Sequence, residues 1–105
     1  MSDVKVSVTF RHTEPTSALK RYVEQKIHRI GKYFSNPLEA HVILAVESKD
    51  CQVAEVTLHI HGTMIHGREK NPDLYAAIDL AMDKIQRQIK KQKEKIKLGR
   101  RRPAA

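Results

Sequence analysis

The sequence has a single cysteine and no long apolar run, and each of these shortages excludes a class of protein. Cys51 has no partner for an internal disulfide, so a disulfide-stabilised secreted scaffold is excluded. The longest uncharged apolar run, 42–46, is too short to cross a membrane, and we see no signal peptide before the first strand-like segment. We therefore expect a cytoplasmic protein with no membrane partner.

Motifs that carry catalysis or bind cofactors are also missing. The sequence has no glycine-rich phosphate loop, no GxSxG or HExxH motif, and no pair of acids suited to general acid–base chemistry. His59 and His61 share one strand face, with His41 and His66 near them, which is a spacing that zinc sites also use. Nothing in the sequence supplies the hydrogen-bond partners that zinc-binding histidines need. We predict no enzyme, no metal, no cofactor and no small-molecule substrate.

Apolar periodicity predicts a strand and then a helix in the first third of the chain. Residues 4–10 alternate between apolar and polar side chains, as a half-buried strand does. Thr16 is placed to cap a helix, whose apolar residues recur at three- and four-residue steps up to Phe34. The segment 35–37, Ser-Asn-Pro, is expected to end that helix.

Three further strands and a second helix complete the prediction. The strands are 40–46, 54–60 and 64–68, with a short hairpin between the last two. Asn71 is expected to cap the second helix and Gly99 to end it. The order β-α-β-β-β-α predicts an α+β fold, a four-stranded mixed sheet with both helices packed on one face. We expect one domain, 1–98, followed by a short disordered basic tail, 99–105.

The basic character of the chain is concentrated in the segment 84–105. This segment holds ten of the twenty Lys and Arg residues against one acid, Glu94, a net charge of +9 in a chain whose total is +8. The preceding residues therefore sum to about −1, and the pI of about 9.8 is a local property. Like charges at i,i+3 and i,i+4 destabilise a helix, and ten of them exceed what the helix dipole favours. Such a segment indicates a polyanionic partner, most commonly nucleic acid.

Helical geometry places these charges on defined faces. At about 100° per residue, five polar residues of the second helix fall within a sector of roughly 100° away from its apolar stripe. This second-helix ridge consists of Lys84, Arg87, Gln88, Lys91 and Lys95. A first-helix ridge flanks the other stripe and consists of Lys26, Arg29 and Lys32. Ordinary solvation explains the first-helix ridge taken alone, but the two ridges would form one surface if their flanks faced each other.

The aromatic residues favour folded RNA over flexible single strands as the polyanion. Tyr22, Tyr33, Phe34 and Phe10 lie on or beside apolar stripes and are expected in the core. Tyr75 lies at the edge of its stripe, where its hydroxyl would reach solvent. Without an exposed aromatic platform, binding by base stacking is disfavoured. Basic side chains on a rigid helix suit contact with phosphates and RNA shape.

Several segments resemble the bacterial ribosome hibernation-promoting factors, the family of the ribosome-associated inhibitor and sigma-54 modulation protein. The resemblance covers about residues 4–98. It is carried by four segments: Asp73-Leu-Tyr-Ala-Ala-Ile-Asp79, Asp83-Lys-Ile-Gln-Arg-Gln-Ile-Lys-Lys91, Ala54-Glu-Val-Thr-Leu58, and 16–34 with its Tyr-Val-Glu-x-Lys-Ile core. The chain ends at residue 105, and its tail is basic, unlike the acidic extension of the related inhibitor. It therefore resembles the short forms, and the tail favours the type that permits paired ribosomes.

The resemblance implies a function, its partners and a site. Members bind the small ribosomal subunit and its rRNA in the 70S ribosome, within the channel used by mRNA and tRNA, and hold idle ribosomes inactive. Another hibernation factor is a further candidate partner. The residues matching the family's rRNA contacts are Lys26, Arg29, Lys32, Lys84, Arg87 and Lys91.

Two other functions are consistent with the residues alone. A general double-stranded RNA-binding module would bind free duplexes as tightly as ribosomes. A protein-interaction module would instead use the long basic helix on an acidic partner.

Overall fold

A computed structural model of the chain describes residues 4–32, 37–60 and 62–101, with the side chains of 92–101 outside that description. The elements follow the predicted order: β1 (Val4–Arg11), α1 (Ser17–Gly31), β2 (Leu38–Ser48), β3 (Cys51–Ile60), β4 (Thr63–Asn71) and α2 (Leu74–Arg101). The predicted α+β class is confirmed. All four strands are longer than predicted, because residues beyond the predicted ends, most of them polar but including the buried Leu38 and Val53, continue the sheet ladder.

The strands form one mixed sheet in the order β1-β2-β3-β4. β1 pairs with β2 in parallel, from Val4 opposite Leu38 to Arg11 opposite Ala45, so α1 is the crossover connection between them. The pairs β2–β3 and β3–β4 are antiparallel, so the sheet is mixed, as predicted. β1 and β4 are therefore the two edge strands.

Both helices pack on one face of this sheet. α1 lies over β1 and β2, and α2 lies over β3 and β4. Alternate strand residues on that face are buried with the apolar stripes of the helices, and the largest fully buried side chains include Ile27, Ile30, Leu44, Leu58, Ile78 and Ile85. The remaining sheet face is open. No helix in the described part of the chain is both long enough and apolar enough to cross a membrane.

The helix ends differ from the prediction in three places. Thr16 caps α1 as expected and accepts a hydrogen bond from the Leu19 N–H at 3.2 Å. α1 ends at Gly31, earlier than predicted, and residues 33–36 lie outside the described residues. Asp73, not Asn71, caps α2, because its carboxylate accepts from the Tyr75 N–H at 3.0 Å while its carbonyl accepts from Ala77.

Asn71 has a different task from the one predicted for it. It ends β4 and accepts a hydrogen bond from the Asp73 N–H at 2.9 Å, which turns the chain into the capping position. The prediction that Gly99 ends α2 is wrong, since the helix continues to Arg101. A glycine inside a helix costs only about 1 kcal/mol, so it does not have to break one. The disordered tail is predicted over 99–105, but residues 99–101 belong to α2 instead, and 102–105 lie outside the described residues.

Candidate nucleic-acid interface

The second-helix ridge lies on the part of α2 that holds its last described core residues. Ile85 is fully buried and Ile89 is half-buried against the core cluster, whereas Lys90 and Lys91 are exposed. The helix nevertheless continues to Arg101. The helix backbone therefore runs about 12 residues, roughly 18 Å at 1.5 Å per residue, beyond Ile89, the last of the described α2 side chains that packs on the core.

Lys84 and Gln88 contact the edge strand β4. The Gln88 side-chain amide donates to the His66 carbonyl at 2.6 Å, and the Lys84 ammonium lies 3.5 Å from the Arg68 carbonyl. Lys84 also forms an ion pair with Glu69 at 2.6 Å. Because an edge strand presents unpaired backbone groups, these two side chains occupy carbonyls that would otherwise face water. Both predicted site residues thus hold α2 to the sheet.

Arg87 and Lys91 differ from these two residues. Both are exposed, and neither makes an ion pair or a side-chain hydrogen bond within the described part of the chain. Their cationic groups are therefore available to an external anion. Lys95 belongs to the part of α2 whose side chains are not described.

The first-helix ridge faces α2 at one of its three positions. The Lys26 ammonium lies 3.2 Å from Asp79 Oδ1 of α2 and 5.2 Å from the centroid of the Tyr22 ring. Arg29 is exposed in the last turn of α1, and Lys32 is its C-cap residue. Cations near a helix C-terminus are favoured by the helix dipole, which gives Arg29 and Lys32 a structural role as well.

The helices lie side by side, but the two ridges do not meet directly. Asp79 faces α1, whereas Lys84 faces β4, and the two positions lie about 140° apart around α2. Arg87 lies on the solvent side between these flanks. The two ridges are therefore separate patches on either side of α2, and the sequence could not decide this because it does not state which neighbour each flank meets.

A polar cluster joins the two helices, and sequence reasoning missed it. The Tyr22 hydroxyl donates to Asp79 Oδ1 at 2.6 Å, and the Tyr22 and Tyr75 rings pack edge to face at 5.0 Å. The Asp79 hydrogen bond raises the pKa of Tyr22 above its ordinary value of 10.0; burial adds to this, and the Lys26 charge opposes it. Tyr22 is half-buried beside the core, and Tyr75 is exposed, as predicted.

A recurring spacing hinted at this cluster. Tyr22 and Lys26, like Tyr75 and Asp79, are four residues apart and so share a helix face. Only the packing of α1 against α2 brings the two faces together.

The open sheet face carries the histidines that the sequence placed there. The rings of His41 and His59 pack edge to face at 5.9 Å, and His66 Nε2 lies 2.8 Å from a Glu55 carboxylate oxygen. His61 lies outside the described residues. Within 4–32, 37–60 and 62–101, no group of three or more His, Cys, Asp or Glu residues could hold a metal ion.

The fold and these surfaces define an α+β domain that presents exposed cations on its long second helix. Lysine and arginine held in this way suit the phosphates of a nucleic acid. The chain belongs to the family described as Sigma 54 modulation protein / S30EA ribosomal protein, which matches residues 6–97. The resemblance noted in the sequence is thereby confirmed.

Individual relatives agree with the family match. The chain is 40% identical over 92 residues to the "Ribosome hibernation promoting factor" of Azotobacter vinelandii, covering 88% of this chain and 85% of that protein. It is 36% identical over 94 residues to the protein of the same name from Escherichia coli K12, covering 90% and 98%.

Two solved structures share the fold. The Protein Y N-terminal domain of Thermus thermophilus superposes with a TM-score of 0.75 at 34% identity, over 85% of this chain and 97% of that one. A ribosomal subunit interface protein from Coxiella burnetii superposes with a TM-score of 0.72 at 25% identity, over 90% and 99%.

Proposed function

We propose that this chain is a cytoplasmic ribosome hibernation factor. It binds the small ribosomal subunit in the channel that mRNA and tRNA use, and it keeps idle ribosomes from translating. It performs no chemistry, because its bound presence alone excludes the competing RNAs.

The match to relatives named for ribosome hibernation carries this proposal. Those relatives align over 85% and 98% of their own length, so the similarity is not confined to a shared fragment. The fold of a protein named for the ribosomal subunit interface is also shared, at a TM-score of 0.72.

The surface of α2 supports a ribosomal RNA partner. Arg87 and Lys91 are exposed on α2, where they can reach phosphates without a change in the fold. Lys26, Arg29 and Lys32 supply a second basic patch on α1. Since each neutralised phosphate releases counterions, binding is expected to weaken steeply as the salt concentration rises.

Sedimentation tests the partner. A lysate of cells entering stationary phase is separated on a sucrose gradient at low and at high salt, and the fractions are blotted for this chain. We expect it to travel with ribosomal particles at low salt and to return to the top of the gradient at high salt. A chain that stays at the top of the gradient at low salt would contradict the proposal. If the chain in those fractions formed a complex that survives nuclease, the alternative of a module that binds an acidic protein would be favoured.

Competition tests the binding site. The labelled chain is bound to purified small subunits, and mRNA and tRNA are then added. We expect these RNAs to displace the chain. A free RNA duplex of the same concentration is the matched competitor. Displacement by the duplex with equal efficiency would instead identify a general double-stranded RNA-binding module.

A further inference from the structure

Asp79 is an acid placed among the cations of the two helices. Its Oδ1 atom accepts the Tyr22 hydroxyl at 2.6 Å and lies 3.2 Å from the Lys26 ammonium. The Asp79 side chain is 47% exposed, so it faces the same solvent that a bound polyanion would occupy. A carboxylate in that position repels phosphates, and a surface built by charge alone would not contain it.

The contacts of Asp79 fix the position of one lysine. Lys26 would otherwise sample many rotamers, but the carboxylate, the Tyr22 ring at 5.2 Å and the neighbouring helix confine its ammonium to the seam between α1 and α2. Its side chain keeps 29% of its surface exposed. An ammonium has three N–H donors, so one bond to Asp79 leaves donors for an anion. Ordering it before binding lowers the entropy that binding has to remove.

The Tyr22 hydroxyl holds the carboxylate in turn. Its hydrogen bond ends on the same oxygen that faces Lys26, and Tyr75 packs on its ring at 5.0 Å. The side chains of Tyr22 and Tyr75 therefore fix Asp79, and Asp79 fixes Lys26.

We propose that Asp79 is a positioning residue of the RNA-binding surface, which holds the Lys26 ammonium at the α1–α2 seam for contact with an RNA phosphate. This inference rests on the proposed function, because it assumes that the ribosomal RNA of the small subunit is the ligand.

The substitution Asp79→Asn separates positioning from charge. It removes a negative charge, so electrostatics alone predicts tighter binding to purified small subunits. Positioning predicts the opposite, a several-fold weaker binding. The matched control is Asp83→Asn, which makes the same charge change one helical turn later, at an exposed residue whose side chain has no ion-pair partner in the described part of the chain. We expect this control to bind as tightly as the wild type or more tightly.

A double-mutant comparison tests whether Asp79 acts through Lys26. Lys26→Ala should weaken binding and lower the salt slope by about 1, as expected when one phosphate is no longer neutralised. Asp79→Asn added to Lys26→Ala should weaken binding no further. If Asp79→Asn destabilises the fold in thermal unfolding, Tyr22→Phe provides the second variant. It keeps every charge and the ring but removes the hydrogen bond that holds Asp79, so we expect it to bind small subunits more weakly than the wild type.

Three results would overturn the inference. One is wild-type or tighter binding by a folded Asp79→Asn variant. Another is a loss of affinity on adding Asp79→Asn to Lys26→Ala that equals the loss Asp79→Asn causes in the wild type. The third is unchanged binding by Lys26→Ala, which would mean that this ammonium binds no phosphate. In each case the proposed function still stands if the wild-type chain binds small subunits, whereas failure of the wild type to bind them would reject both.

Discussion

Single residues of the second-helix ridge differ in what they contact within the fold. Lys84 and Gln88 bond to the backbone of β4, and Lys84 is also paired with Glu69 at 2.6 Å. Arg87 lies on the solvent side of the same helix. A position on a basic helix face is therefore not by itself a measure of how much a residue contributes to binding an anion.

This division predicts unequal effects of two substitutions. Arg87→Ala should weaken binding to small subunits several-fold and change the free energy of unfolding by no more than about 0.5 kcal/mol. Lys84→Ala should weaken binding less, because Glu69 already offsets its charge, and should lower stability by up to about 1 kcal/mol. Binding titrations at one salt concentration and urea unfolding of both variants measure the two effects. Equal binding losses would show that Lys84 exchanges Glu69 for phosphate.

Tyr22 gives the inter-helix cluster a signature in pH. Its pKa is raised in the folded state, chiefly by the Asp79 hydrogen bond, so the unfolded chain ionises first as the pH rises. The stability that this hydrogen bond contributes is thus fully present below the ordinary pKa of 10.0 and is lost as the pH rises through the folded-state pKa. Urea unfolding at rising pH measures the loss, and Tyr22→Phe is the control that should not show it.

The same titration reports on Asp79. In Asp79→Asn the pKa of Tyr22 should fall back toward its ordinary value, since the largest cause of the shift is removed. The difference in phenolate absorbance between the wild type and Tyr22→Phe isolates the titration of Tyr22. A pKa that stays equally high in Asp79→Asn would assign the shift to burial instead.

At the scale of whole elements, the docking of α2 on β4 depends on a residue without a side chain. A Cβ atom at Gly67 would lie 3.1 Å from the Ala81 carbonyl oxygen and 3.4 Å from two atoms of Ile85. The carbonyl belongs to the helix backbone and cannot turn aside as a flexible side chain can. Gly67 therefore sets how closely α2 approaches the sheet.

Gly67→Ala should destabilise the domain by about 1–3 kcal/mol, because α2 must move outward to make room. Thermal unfolding followed by circular dichroism measures this cost. Gly62→Ala is an informative comparison, since a methyl group there meets nothing within 4 Å and any cost comes from its φ of +79°. An unchanged melting temperature for Gly67→Ala would mean that α2 lies farther from β4 than the structure shows.

The elements also show where prediction from the sequence succeeds and where it stops. Order, class and the Thr16 cap follow from local patterns, which act over a few residues. The Asp73 cap was missed because Asn71-Pro72 fits a capping pattern equally well, and only the backbone bonds distinguish them. The partners of Lys26 and Lys84 depend on strand order and helix placement, and periodicity along one helix carries no information about these.

At the scale of the whole molecule, charge is distributed very unevenly. The segment 84–105 carries ten of the twenty basic residues, while the sheet face opposite the helices mixes acids, histidines and lysines. An uneven distribution steers a polyanion to one side of the molecule, whereas net charge alone attracts it without orientation. Location and total charge can be separated by experiment.

Two triple variants make that separation. One variant replaces three ridge residues by alanine: Lys84, Arg87 and Lys91. The other replaces three lysines that are exposed and form no ion pair in the described part of the chain: Lys5, Lys20 and Lys49. Each removes three positive charges from a chain of net charge +8. The first should lose binding to small subunits at moderate salt while remaining folded, and its salt slope should fall by about 1 for each phosphate that is no longer neutralised. The second should keep most of the wild-type affinity and slope. Equal losses of affinity in the two variants would mean that net charge governs binding and that the position of the charges on the second-helix ridge does not matter.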